Sequence, residues 1–183
     1  MWGGDQELYL DDNRLTALPA SVGSMTALRH LSLSYNAIDE LPDNLIRMTS
    51  LTFLALNNNH LSNVPKSLCR LPNLMTLRMG NNNLSTLPPS FFLFDLRSSL
   101  KVLWLDSNHV EFLPETLLHM SALVNLHVSG NPMRTPPYTV RILLPTCGAA
   151  GCTSSHMRLR RLPPLELPRL ESTTTTATLA SIG

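Results

Sequence analysis

Apolar residues return along the chain with two nested periods. Over short stretches they alternate, as in Leu31-Ser32-Leu33, Leu54-Ala55-Leu56 and Leu103-Trp104-Leu105, which is the pattern of a short strand with one buried face. On a longer scale the whole pattern L-x-x-L-x-L-x-x-N-x-L recurs. Its asparagines fall at Asn13, Asn36, Asn59, Asn82, Asn108 and Asn131, separated by 23, 23, 23, 26 and 23 residues. A fixed period of this length marks a solenoid, in which each copy is too small to bury its own apolar face and stacks on its neighbours to build one core. One parallel strand per copy follows, because a parallel pair needs a crossover of about a dozen residues or more and the rest of each copy supplies it.

The remainder of each copy is also patterned. A second apolar residue followed by proline recurs at Leu18-Pro19, Leu41-Pro42, Val64-Pro65, Leu87-Pro88 and Leu113-Pro114, where proline stops strand continuation. Apolar residues then come three apart, as in Val22 and Met25, Leu45 and Met48, Leu68 and Leu71, and Leu117 and Met120, which predicts a short helical or 3₁₀ turn on the outer wall. The asparagines need a separate reason, since a polar side chain inside a leucine stack is costly unless paired. An Asn carries both donors and acceptor, so one per turn can bridge backbone groups of adjacent turns where the chain leaves the strand. The six form a structural ladder. The longer copy places its additional residues around 91–99, on the outer wall, so the strand register is expected to survive.

With its LP pair included, the repeat L-x-x-L-x-L-x-x-N-x-L-x-x-L-P-x-x-L resembles the short, LP-containing class of leucine-rich repeats over residues 5–137. The resemblance implies an α/β solenoid of horseshoe form, with a parallel β-sheet on the concave face and short 3₁₀ or helical turns on the convex face. Members of this class resemble plant intracellular Ras-group-related proteins, Ras-pathway scaffold proteins and the repeat arrays attached to some kinases, adenylate cyclases and GTPases. The resemblance therefore implies a cytoplasmic or nuclear protein, with a small GTPase or phosphatase as partner. The last copy, Gly130-Asn131-Pro132-Met133, resembles the closing repeat of such arrays.

Outside the array, residues 1–4 form a short lead, 138–146 read as a C-terminal capping segment (Tyr138, Val140, Ile142, Leu143, Leu144), and 147–183 read as a disordered tail without sustained periodicity. Arrays usually carry a cap at each end. Here only Trp2 is available to cover Leu8 and Leu10, so the expectation is an N-terminally shortened fragment, an edge covered by another protein, or self-association through that edge.

Composition narrows the function further. A net charge of +1 over 183 residues makes no case for nucleic acid or an anionic membrane. No apolar stretch reaches the length of a membrane span. The three cysteines, Cys69, Cys147 and Cys152, are an odd number and argue against a disulfide framework. Cys147, Cys152 and His156 follow C-x₄-C-x₃-H but lack a fourth ligand nearby, so no metal is expected. The sequence shows no nucleophile with a base at recognisable spacing, no phosphate loop and no His-Glu metal motif, so neither catalysis nor a cofactor is expected.

What remains is surface. Residues alternating with the strand leucines point to the concave face: Tyr9, Ser32, Ala55, Arg78, Trp104 and His127 in the centre, Glu7, His30, Phe53, Thr76, Val102 and Asn125 on one flank, and Asp11, Ser34, Asn57, Gly80, Asp106 and Ser129 on the other. Aromatic residues joined by an arginine match the types that dominate interface hot spots. The partner-binding residues expected are Tyr9, His30, Tyr35, Phe53, Arg78, Trp104, Asp106 and His127, with Arg78 facing an acidic group of the partner. The function expected is a non-enzymatic protein-interaction module, a signalling scaffold or regulator. The alternative is a regulatory repeat piece of a larger signalling enzyme, such as a kinase or cyclase, or a truncated gene product.

Overall fold

The structure is a computed structural model that describes residues 6–88, 95–114, 116–117, 120–134 and, for the backbone, 157–158. Six three-residue strands run parallel in chain order: β1 (Glu7–Tyr9), β2 (His30–Ser32), β3 (Phe53–Ala55), β4 (Thr76–Arg78), β5 (Val102–Trp104) and β6 (Asn125–His127). The register is the same at each step, so that Leu8, Leu31, Leu54, Leu77, Leu103 and Leu126 lie side by side. The pairing of Arg78 with Trp104 across the 26-residue copy keeps that register. Its described outer-wall portion includes a single helical turn, α1 (Leu96–Ser99).

Behind the sheet, the strand leucines and those two positions later form one continuous core. Leu31, Leu33, Leu54, Leu56, Leu77, Leu103 and Leu105 are fully buried, and each such side chain removed from water contributes about 1.5–3 kcal/mol. The outer wall is closed by 3₁₀ turns at Ala20–Ser24, Asp43–Arg47 and Leu68–Arg70. Proline precedes each of these turns, immediately before the first two and three residues before the third. Its carbonyl accepts the N–H three residues on, Pro19 from Val22 (3.0 Å), Pro42 from Leu45 (3.1 Å) and Pro65 from Leu68 (3.1 Å), and its own missing N–H costs nothing at that place.

Between strand and outer wall the chain turns sharply. In each described repeat the residue before the ladder asparagine has positive φ: Asp12, Tyr35, Asn58, Asn81, Ser107 and Gly130, between 51° and 69°. The asparagine then ties the turn to its neighbours. Asn59 Oδ1 accepts from Ile38 N–H (3.0 Å), while its Nδ2 donates to Leu33 O of the preceding turn (2.9 Å) and to Leu56 O and Asn57 O of its own. Asn36, Asn82, Asn108 and Asn131 repeat this arrangement. Asn13 bonds only within its own turn, to Leu10 O and Asp11 O, and is exposed.

The two ends differ from one another. At β1, Leu8 and Leu10 are half-buried against the core, and Gln6 O accepts both Arg29 N–H and His30 N–H. At the other end a two-residue strand, β7 (Met157–Arg158), pairs antiparallel with β6, Asn125 opposite Arg158 and Leu126 opposite Met157. These two residues fall in the segment expected to be disordered, where periodicity offered no sign of a strand. The rest of that segment, the lead at 1–4 and the capping segment at 138–146 lie outside the described residues.

Candidate interaction surface

Purely parallel sheets are ordinarily covered on both faces. Here the leucines fill one face, and the other carries the side chains that alternate with them. On this open face the large residues change flank along the array. At β2 and β3 the central positions are small, Ser32 (8% exposed) and Ala55 (4%), and the flanking His30 and Phe53 stack face to face at 3.9 Å with their planes 10° apart. From β4 onward the large residues are central. Arg78 places its guanidinium 5.3 Å from the Phe53 ring centre and 4.2 Å from that of Trp104. Tyr9 meets His30 at 5.0 Å, and His127 meets Trp104 at 4.8 Å.

One connected strip therefore crosses all six parallel strands: Tyr9, His30, Phe53, Arg78, Trp104 and His127. A guanidinium over aromatic rings is held by attraction to the ring faces at about 0.5–2 kcal/mol, and stacking limits the rotamers it must give up on binding. Trp104 is half-buried in this arrangement rather than freely exposed. At the β1 end the Tyr9 hydroxyl donates to Glu7 (3.0 Å). That bond raises the phenol's pKa above the usual 10, with smaller contributions from desolvation and from the Glu7 and Asp11 charges.

Of the residues singled out on sequence, Tyr35 stands apart. It lies on the left-handed turn after β2, 58% exposed, and outside the strip. Asp106 lies beyond β5, with its carboxyl against Gly80. A Cβ at Gly80 would meet the two carboxylate oxygens at 2.8 and 2.9 Å, so only glycine allows this approach.

The row containing Asp106 carries a feature that alternation alone does not reveal. Asp11 Oδ1 accepts from Ser32 Oγ–H (2.6 Å) and Ser34 N–H (2.7 Å), and Asn57 Oδ1 accepts from Gly80 N–H (2.9 Å). Both reach forward to the next repeat, so Asn57 braces the stack as well as facing the open side. Sequence does not separate these two from Asp106, which stands at the same repeat position and is likewise followed one repeat later by a small residue, Ser129.

Among the described residues, no group of three or more His, Cys, Asp or Glu is placed to hold a metal ion, and no helix is long and apolar enough to cross a membrane. Cys147, Cys152 and His156 lie outside the described residues. Cys69 is a free, buried thiol on the outer wall, and burial pushes its pKa up to about 11, which leaves it an unreactive neutral group.

Comparison with known proteins agrees with this architecture. The leucine rich repeat family model matches residues 6–61 and 72–133, more than half of the chain. Among solved structures, a leucine-rich repeat protein of Leptospira interrogans is similar over 78% of this chain and 36% of its own, at 32% identity and a TM-score of 0.68. The plant peptide hormone receptor RGFR1, solved in complex with RGF2, is similar over 69% of this chain and 20% of its own (30% identity, TM-score 0.61). A PEPR1–AtPEP1 structure is similar over 69% and 18% (27% identity, TM-score 0.60). The chain thus spans little more than a third of these structures at most. A comparison with curated proteins gave no match. Domains of this kind generally mediate protein–protein interaction, and they are typically not enzymes. Repeat spacing, stacked parallel strands, asparagine ladder and family match agree that the chain belongs to the leucine-rich repeat family.

Proposed function

We propose that this protein is a non-enzymatic interaction module that docks a protein partner on its open sheet. The observation that carries the reading is the strip from Tyr9 to His127, in which an arginine sits between two aromatic rings on the sheet face opposite the leucine core. Rigid aromatic area with a pre-placed guanidinium is the surface chemistry of interface hot spots. A structural neighbour is a receptor solved with its peptide hormone, which supports a protein or peptide as the occupant. Within the family we place the chain in the short, LP-containing class, acting as a signalling scaffold or regulator in the cytoplasm. A small GTPase or a phosphatase is the partner class suggested by that resemblance, and the free buried thiol Cys69 is compatible with a reducing compartment.

The test is affinity capture from the native cell, comparing the parent chain with Trp104→Ala/Arg78→Ala. Both side chains project from the last residues of β4 and β5, away from the leucine core, so the double variant is expected to keep its circular dichroism and lose the partner. Lys66→Ala, an exposed outer-wall change, is expected to bind as the parent does. Undiminished capture by the double variant, with loss on the outer-wall change, would move the docking surface to the convex side.

A further inference from the structure

Three buried polar atoms at neighbouring positions of the open sheet have no hydrogen-bond partner: Arg78 Nε, Trp104 Nε1 and Asp106 Oδ1. Arg78 and Trp104 are paired in register across β4 and β5. Asp106 is two residues beyond Trp104, so it projects to the same face, and it rests on Gly80, two residues beyond Arg78. Its equivalents, Asp11 and Asn57, spend their oxygens on the next repeat. Asp106 instead leans back over the preceding repeat, and its Oδ1 bonds to nothing. Unpaired polar atoms of this kind are rare in folded chains, because a buried group without a partner loses its bonds to water and gains none in return.

We propose that Arg78, Trp104 and Asp106 form a subsite for a primary carboxamide, the side chain of a Gln or Asn in an extended segment of the protein partner. This rests on the open sheet being the docking surface. The inventory of hydrogen-bonding groups matches one for one. A carboxamide oxygen has two lone pairs for the two N–H groups, Arg78 Nε and Trp104 Nε1, and the carboxamide NH₂ supplies the donor that Asp106 Oδ1 needs. A carboxylate satisfies the two donors but leaves Asp106 Oδ1 unpaired and opposed by like charge, so Asp106 overrides the acidic partner group that Arg78 alone suggests. A main-chain peptide group fits less well, because its trans geometry directs C=O and N–H to opposite sides, whereas a carboxamide offers both on one edge. All three residues are half-buried, not fully buried, and the broad terminal torsion of the Asp106 carboxyl lets its oxygens turn toward a ligand without backbone movement.

The six parallel strands, about 4.8 Å apart, present a span of about 24 Å, which an extended segment of about seven residues covers. The probes are therefore seven-residue peptide pools with randomised flanks and a central residue held as Gln, Asn, Glu, Lys or Leu. Binding to the full 183-residue chain is read by fluorescence anisotropy. The Gln or Asn pool is expected to bind at least about 10-fold better than the Glu and Leu pools, since a site built for a hydrogen-bonding group rejects analogues lacking it. In Asp106→Asn, whose side chain can itself donate, the Gln-over-Glu ratio is expected to fall to about one or invert. Asp106→Ser serves if that variant does not fold. Equal or better binding of the Glu pool, a Gln-over-Glu ratio untouched by changing Asp106, or no pool binding at all would each overturn the subsite. If any of these occurs while Trp104→Ala/Arg78→Ala still loses the native partner, the docking surface stands and only the carboxamide assignment fails. If the double variant keeps the partner, the docking surface itself is wrong.

Discussion

Replacing Asn59 by Ala deletes four hydrogen bonds, but their consequences are unequal. Leu33 O, Leu56 O and Asn57 O each retain another donor, from Asn36 Nδ2, Asn82 Nδ2 and Tyr35 N–H respectively. Ile38 N–H has only Asn59 Oδ1, and Ile38 is fully buried, so it is left without an acceptor. An orphaned buried donor costs about 1–3 kcal/mol, and the weakened carbonyls add a further fraction, giving an expected loss of about 2–4 kcal/mol. With a urea dependence of about 2 kcal/mol/M this is a midpoint shift of roughly 1–2 M. Asn13→Ala is the matched control. Asn13 serves only its own turn and is exposed, so water replaces its bonds and the loss should stay below about 1 kcal/mol. Urea denaturation followed by circular dichroism measures both variants, and amide exchange at Ile38 reports whether that N–H is the group released. Equal midpoints for the two variants, or an Ile38 amide no less protected in Asn59→Ala, would refute the assignment of the cost to one orphaned donor.

Four further outcomes are expected. Leu56→Ala, at a fully buried position, should cost about 2–5 kcal/mol through lost burial and a residual cavity, and a urea midpoint within error of the parent would place Leu56 outside the core. Tyr35→Asn should raise the thermal midpoint, with a gain of about 0.5–1 kcal/mol, because the left-handed turn disfavours an aromatic residue at φ 57° and the exposed ring gives up little packing; a lowered midpoint would show that the ring contributes contacts that outweigh this strain. Gly80→Ala should destabilise through the clash with the Asp106 carboxyl, and most of that loss should vanish in an Asp106→Gly background, a double-mutant cycle that additive losses would contradict. Cys69 should react with a thiol reagent only after denaturation, tested in a Cys147→Ser/Cys152→Ser background. Its folded pKa is raised from 9.0 to about 11, so its contribution is fully present below pH 9 and is lost as pH rises from 9 to about 11, where the unfolded chain ionises first. Rapid native labelling would contradict this burial.

The order of the strands, their parallel direction and the buried leucines were legible in the chain, because a repeat imposes nearly the same environment on each copy and the copies corroborate each other, whereas the first copy departs from it, with Asn13 exposed and bonded only within its own turn. The alternation of side chains also told which residues face the open side, since that depends only on strand periodicity. It did not tell how they meet there. That His30 and Phe53 take over where Ser32 and Ala55 are small, that Arg78 lies between two rings, and that Tyr35 is outside the strip depend on side-chain size and rotamer choice between neighbouring repeats. The positive-φ row before each ladder asparagine was only partly signalled: Asp12, Asn58, Asn81 and Gly130 are types that tolerate the left-handed region, but Tyr35 and Ser107 share the conformation without that tendency, because the turn is enforced by hydrogen bonds on either side of it. The pairing of Met157–Arg158 with β6 had no periodic signal, since an edge strand of two residues is specified by the backbone groups it finds and not by its own sequence. Asp106, one acidic residue among several in the chain, became distinctive only once its carboxyl was seen lying over Gly80 instead of bracing the next repeat, for a hydrogen bond left unmade is a property of three-dimensional neighbours alone.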